Sequence, residues 1–323
     1  MNFYKNLLFF SFLFIAFAYG CNNKPKTDIG ENRNRVIKVE SSIIDSIKHP
    51  YIELTYNDDG FLEKSVTTIY KTLSNGKTKL LNSRTCNYTH YGNKITISGI
   101  NEKIDSISDE VTVKDIRIEL EIGQHNRIIK RTDYKNDFNE APLVDTFEWN
   151  DDKIIKKKRY LEGVTQDGLF ESITEYSYKD GNLVEGITSF IVEINDVRTS
   201  SKDTIKCEYD TTLPNHYTIQ FPNEYELSYN DISFFPIRCS KNLTSSISYT
   251  ISLTQNIISE NSTNFKTRGE YAVLSTFTLD ENERILTRTD TGNSYQEINN
   301  IVDPLQNKKM TNEYEIKLYY TYK

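Results

Sequence analysis

The chain has 323 residues, with 39 Lys and Arg against 46 Asp and Glu, and a formal net charge of −7. An acidic chain gains no general attraction to nucleic acid or to an anionic membrane surface, so neither is an expected partner of the chain's surface. Two Met stand beside 22 Tyr and 16 Phe, a composition that suits pleated, half-buried strands.

Met1 to Asn6 carries one base, Lys5; Leu7 to Ala18 is apolar apart from Ser11; Tyr19, Gly20 and Cys21 follow. A short cationic start, an apolar run and a small residue before a break make a secretory signal. A cysteine directly after that break resembles the bacterial lipoprotein signal, whose thiol is acylated and whose chain is cut before it. Ala18 and Tyr19 stand where such a box usually has a Leu-like and a small residue. The run is shorter than the roughly 20 apolar residues of a spanning helix. The expected organisation is therefore a lipoprotein signal over residues 1–20, lipid on Cys21, a flexible polar tether over 21–35 and a single β domain over 36–323.

Ser41 to Lys48 reads as a short helix or a first strand. From about Tyr51 the pattern is period two. Ile116, Ile118, Leu120 and Ile122 alternate with Asp115, Arg117, Glu119 and Glu121, and Tyr314 to Tyr322 alternates in the same way. Such alternation predicts antiparallel strands with one charged face. Turn signals recur between them: Tyr56-Asn-Asp-Asp-Gly60, Tyr178-Lys-Asp-Gly181 and Tyr91-Gly-Asn-Lys94, with looser copies at Gln124, Trp149 and Leu279. Asn, Asp and Gly accept the positive φ of tight hairpins. Serial hairpins make a long antiparallel meander, which must curl, close or be covered because bare edges aggregate.

The Tyr-x-x-x-Gly-x-Leu hairpins, Tyr91-Gly-Asn-Lys-Ile-Thr96, Phe147-Glu-Trp149, Glu175-Tyr-Ser-Tyr-Lys-Asp-Gly-Asn-Leu183, Ser240-Lys-Asn-Leu243 and Phe277-Thr-Leu-Asp280 carry a resemblance. In their order, and together with the signal, they resemble a group of Bacteroidetes lipoproteins with a porin-like β fold. Similar hairpins occur in YD-repeat proteins. The resemblance implies an all-β fold, a porin-like barrel or half-barrel, from about Tyr51 onward, and it supplies no activity. It also implies an outer-membrane lipoprotein. Residues 22–26 lack the acidic cluster that exported members often carry after the cysteine, which points to the periplasmic face. Asp203-Thr-Ile205 and similar triplets resemble the O-glycosylation sites of Bacteroidetes exported proteins.

The strands argue against a membrane pore. Lys153-Ile-Ile-Lys-Lys-Lys-Arg159 puts a cation on each face of its strand, and a Lys or Arg facing lipid at the midplane costs about 2–4 kcal/mol. The chain also ends in Lys323, where membrane-assembled barrels usually end in an aromatic residue. The expected fold is all-β, a meander curled into a water-soluble barrel or half-barrel attached to the membrane by its lipid.

Chemistry-bearing motifs are sparse. Beyond Cys21 the cysteines are Cys86, Cys207 and Cys239, enough for one internal disulfide; Cys207 and Cys239 are the nearer pair in sequence. His49, His90, His125 and His216 are dispersed, no catalytic or phosphate-binding motif is present, and no metal or cofactor is expected. The acidic turns lack calcium-loop spacing and read as turn chemistry. Lys156 to Arg159 reads as a solvated strand whose charges block edge pairing. Tyr88 and His90 share a face, as do Tyr176 and Tyr178, which reads as cross-strand packing. The leading expectation is a non-catalytic binding or carrier module for a small molecule, glycan or protein. The alternatives are a structural surface protein and, behind it, a hydrolytic enzyme.

Overall fold

The period-two segments are strands, and they pair in sequence order. The computed structural model describes residues 36–42, 49–58, 61–72, 78–105, 108–124, 127–134, 141–151, 153–162, 171–194, 197–214, 240, 242–257, 262–300 and 307–322. The signal segment 1–20, Cys21, the tether 21–35, Cys239, His125 and His216 lie outside them.

The strands are β1 (Val36–Ser42), β2 (His49–Tyr56), β3 (Leu62–Thr72), β4 (Thr78–Tyr91), β5 (Lys94–Ile104), β6 (Val111–Ile122), β7 (Ile128–Asp133) and β8 (Leu143–Asn150). They continue as β9 (Lys153–Leu161), β10 (Glu171–Lys179), β11 (Asn182–Ile194), β12 (Val197–Pro214), β13 (Asn242–Ile257), β14 (Ser262–Leu279), β15 (Ile285–Asn300) and β16 (Lys308–Tyr322). Every neighbour is antiparallel, and β1 pairs with β16 through Val39 opposite Tyr320 and Ser41 opposite Leu318. The sheet is thus a closed 16-strand barrel, not a half-barrel. Closure removes the free edges that a meander of this length would expose. Ser41 and Ser42 belong to the first strand, so this end of the Ser41–Lys48 segment is strand and not helix.

The turn chemistry is as the sequence predicts. Asp180 and Gly181 both have positive φ, 52° and 84°, between the paired Lys179 and Asn182, as a two-residue type I′ hairpin requires. Asp280 Oδ1 accepts hydrogen bonds from the backbone N–H groups of Asn282 (2.9 Å) and Arg284 (2.8 Å). Asn57 Oδ1 accepts one from the Phe61 N–H at 2.8 Å. These carboxylate and amide oxygens hold turns.

Residues opposite one another on paired strands share a face, so register separates the inner wall from the outer. The inner wall is apolar at the end where the tight hairpins lie. Leu62, Ile97, Ile118, Leu120, Ile154, Leu183, Leu243, Ile285 and Leu318 are fully buried there, and with Val39, Ile52, Tyr88 and Phe147 they form one continuous cluster. A round barrel of this strand number leaves a water channel; here side chains fill one end. The outer wall carries Asp115 and Arg117 on β6, Lys266 and Arg268 on β14 and Glu315 and Lys317 on β16, all exposed. Charge therefore stands where a lipid-facing barrel needs an apolar band.

Candidate functional site

Alternation along β9 turns Lys156 and Lys158 outward and Lys157 and Arg159 inward. The strand lies between β8 and β10, with Lys157 opposite Phe147 and Arg159 opposite Asp145. The expectation of a solvated, edge-blocking run is therefore wrong for its inner half. Lys157 is only 3 % exposed. The cause is local: β7 and β8 present carboxylates at the matching height, so the inward cations find counter-charges.

Asp145 is fully buried. It accepts hydrogen bonds from Arg159 Nε at 2.7 Å and Nη2 at 3.0 Å, and from Arg131 Nη1 at 3.2 Å. Arg131 Nη2 also reaches Asp133 at 3.3 Å. Burial opposes ionisation of Asp145. The charge and hydrogen bonds of Arg159, and then the charges of Lys157 and Arg131, overcome it and hold the carboxyl well below the usual range. Burial, and then the neighbouring Arg159, push the Lys157 ammonium down to about 8.

This cluster forms one wall of a cavity of about 200 Å³. Lys157, Arg159, Ser172, Thr174 and Tyr176 line it from β9 and β10, and Gly186, Thr188, Phe190, Asp203, Ile205 and Tyr249 from β11 to β13. Register explains the convergence. Tyr176 faces Gly186, which faces Ile205, which faces Tyr249. A Cβ on Gly186 would come within 2.8 Å of Ile205 Cγ2 and 3.1 Å of the Tyr176 ring, so the missing side chain is what lets that ring lie across β11.

The far wall carries an acid. Asp203 accepts hydrogen bonds from the Ser201 hydroxyl at 2.7 Å and the Tyr249 hydroxyl at 3.1 Å. Its pKa is raised by burial, against the lowering effect of those two donors and a backbone N–H. Between the walls the Tyr176 hydroxyl is buried and makes no hydrogen bond of good geometry. Thr174 contributes a weak polar contact only, its own hydroxyl being paired with Thr188 at 2.9 Å. A buried donor of this kind is uncommon in a folded protein.

Of the residues singled out from sequence, Tyr176 joins the cavity, whereas Tyr178 donates to the Ile154 carbonyl at 2.9 Å and packs against the core. Tyr88 bonds the Ser65 hydroxyl at 3.0 Å within the apolar end. His90 Nε2 lies 3.0 Å from the Leu62 carbonyl, and His49 stacks on Tyr70; the two do not converge on the cavity. Cys207 is a buried thiol, pushed up to about 12 by burial; its expected pairing with Cys239 involves a residue outside the described ones. Asp203 and Ile205 of the glycosylation-like triplet face inward. Among the described residues no group of three or more His, Cys, Asp or Glu is placed to hold a metal ion. Sequence reasoning missed Lys157, Arg159, Asp203 and Tyr249 as a group; the available signal was a cation and an acid at inward positions of period-two strands.

No family model matches the chain, and no curated protein matches it. Among solved structures, it is similar to a porin-like protein from Bacteroides vulgatus ATCC 8482, at 14% identity over 90% of this chain and 99% of that one, with a TM-score of 0.47. A porin-like protein from Bacteroides uniformis ATCC 8492 is similar at 12% identity over 90% and 98%, with a TM-score of 0.46. At these scores the closed barrel stands on the strand pairing of this chain itself.

Proposed function

We propose that this chain is a non-catalytic binding or carrier module of the cell envelope. In this reading, lipid on Cys21 attaches it to the outer membrane on the periplasmic face, and a small ligand occupies the cavity between β9 and β13. The carrying observation is that cavity, lined by Lys157, Arg159, Asp203 and the unsatisfied Tyr176 hydroxyl. Concave sites with a few convergent polar groups on apolar walls are where small ligands bind. The layout of residues 1–21 supports the anchor. The charged outer wall supports a barrel standing in water.

The test uses the full chain, purified from its own membranes in mild detergent. Mass spectrometry of what denaturation releases is expected to find a small molecule in the wild type and none in Thr188→Trp, which fills the cavity. Equal recovery from both would remove the cavity from the account. Incorporation of labelled palmitate, lost in Cys21→Ala, checks the anchor, and resistance to protease in intact cells checks the face.

A second reading, a surface interaction protein, has its own observation. Val111 and Val113, each 56% exposed, and Ile100, 40% exposed, share the outer rim of β5 and β6. Val111→Asp with Val113→Asp would abolish a partner contact there and leave the cavity untouched.

A further inference from the structure

The cavity has two walls of opposite character, set three strands apart. On β9, Lys157 and Arg159 belong to a group in which Arg131, Lys157 and Arg159 surround Asp133 and Asp145. Lys157 and Arg159 bring that cationic side to the cavity. On β12, Asp203 is held by neutral donors: the Ser201 and Tyr249 hydroxyls and the Ser252 backbone. All three of Lys157, Arg159 and Asp203 line the cavity. Between them lie the Tyr176 ring with its unsatisfied hydroxyl, Phe190 and Ile205.

We propose that the cavity takes a small zwitterion, an aminocarboxylate with an apolar body, its carboxylate at Lys157 and Arg159 and its ammonium at Asp203. This deepens the binding reading above and rests on it. The carboxylate would accept a hydrogen bond from the Tyr176 hydroxyl and lie beside the Lys157 and Arg159 cations that line the cavity. The ammonium would pair with Asp203, whose hydrogen-bond partners among the described residues are neutral donors. Phe190 and Ile205 would cover the side chain. A cavity of about 200 Å³ suits a small molecule of amino-acid size. A buried charge is retained where a partner and hydrogen bonds compensate its desolvation, and this ligand compensates both walls at once.

Isothermal titration of the full chain with L-leucine, 4-methylpentanoate (no ammonium) and isopentylamine (no carboxylate) tests this. Leucine is expected to bind at least tenfold more tightly than either half-analogue. Asp203→Asn should erase the advantage over 4-methylpentanoate, and Lys157→Met the advantage over isopentylamine. Tyr176→Phe should weaken leucine binding without lowering the unfolding temperature, a combination that a merely structural tyrosine does not produce. If Lys157→Met does not fold, Asp203→Asn decides alone, because it keeps the shape: one hydroxyl still donates to the amide oxygen and the other can accept from the amide nitrogen. Equal binding of leucine and 4-methylpentanoate would overturn the zwitterion and leave a simple anion site, so the binding reading would survive. No binding of any of the three, with a different small molecule released from the purified chain, would also overturn the assignment alone. No binding and nothing released would end both.

Discussion

Arg159 grips Asp145 across the β8–β9 pairing with two hydrogen bonds, Nε to Oδ1 at 2.7 Å and Nη2 to Oδ2 at 3.0 Å. Asp145 is fully buried and Arg131 bonds it from the other flank. The carboxylate is therefore the counter-charge that lets three cations face inward.

Removing it should be severe. Asp145→Ala leaves Arg131 and Lys157 buried and Arg159 partly buried without this carboxylate, while Asp133 still bonds Arg131. Breaking a buried ionic network by deleting one partner costs about 3–5 kcal/mol. Urea unfolding followed by circular dichroism should show the midpoint falling accordingly. A change under about 1 kcal/mol, the value of an exposed pair, would mean that water reaches the cluster.

Lys157 makes a pH prediction of the opposite kind. Its folded pKa, about 8, lies below the ordinary 10.5. Below pH 8 the group is protonated in both states and the cost of burying the charge is constant. Between pH 8 and 10.5 the unfolded chain binds more protons, so stability rises with pH; above 10.5 the gain is complete. At 1.36 kcal/mol per unit the rise is about 3 kcal/mol. Burial raises the Cys207 thiol and the Tyr249 phenol, and these groups act in the opposite sense above about pH 9. The measurement is accordingly the difference between wild type and Lys157→Met, which should grow in favour of the wild type from pH 8 to 10. A flat difference would contradict a buried Lys157.

Much of the barrel was legible in the sequence because strands write their pattern locally. The alternation over Ile116–Ile122 and the Asp-Gly pair at 180–181 need only neighbours to be read. Closure was not legible, since the pairing of Val39 with Tyr320 joins the two ends of the domain and nothing local marks it. The site was hidden for a related reason. Lys157 in a run of four basic residues looks like a solvated lysine; its burial depends on Asp145 one strand away. Tyr176 was noticed for its spacing, but only the register with Gly186 shows that its hydroxyl ends in a cavity.

Gly186 should be sensitive to a single methyl. Gly186→Ala would push on Ile205 and on the Tyr176 ring, and overpacking of this kind costs about 1–3 kcal/mol. Thermal unfolding should register the loss, and ligand binding should weaken further because the ring moves. An unchanged Tm would show that the ring has room to yield.

Tyr176→Phe should behave in the reverse way in the free protein. A buried polar group without a partner costs about 1–3 kcal/mol, so losing the hydroxyl should leave the unfolding temperature unchanged or raise it. A clear fall would reveal a hydrogen bond to the hydroxyl within the fold.

The inversion of apolar inside and charged outside is the claim on which the rest depends, and detergent-free folding of residues 36–323 tests it most directly. The account predicts a soluble, β-rich species by circular dichroism that unfolds cooperatively in urea and sediments identically with and without detergent. A chain that stays aggregated in buffer and acquires β structure only in micelles or lipid would contradict it.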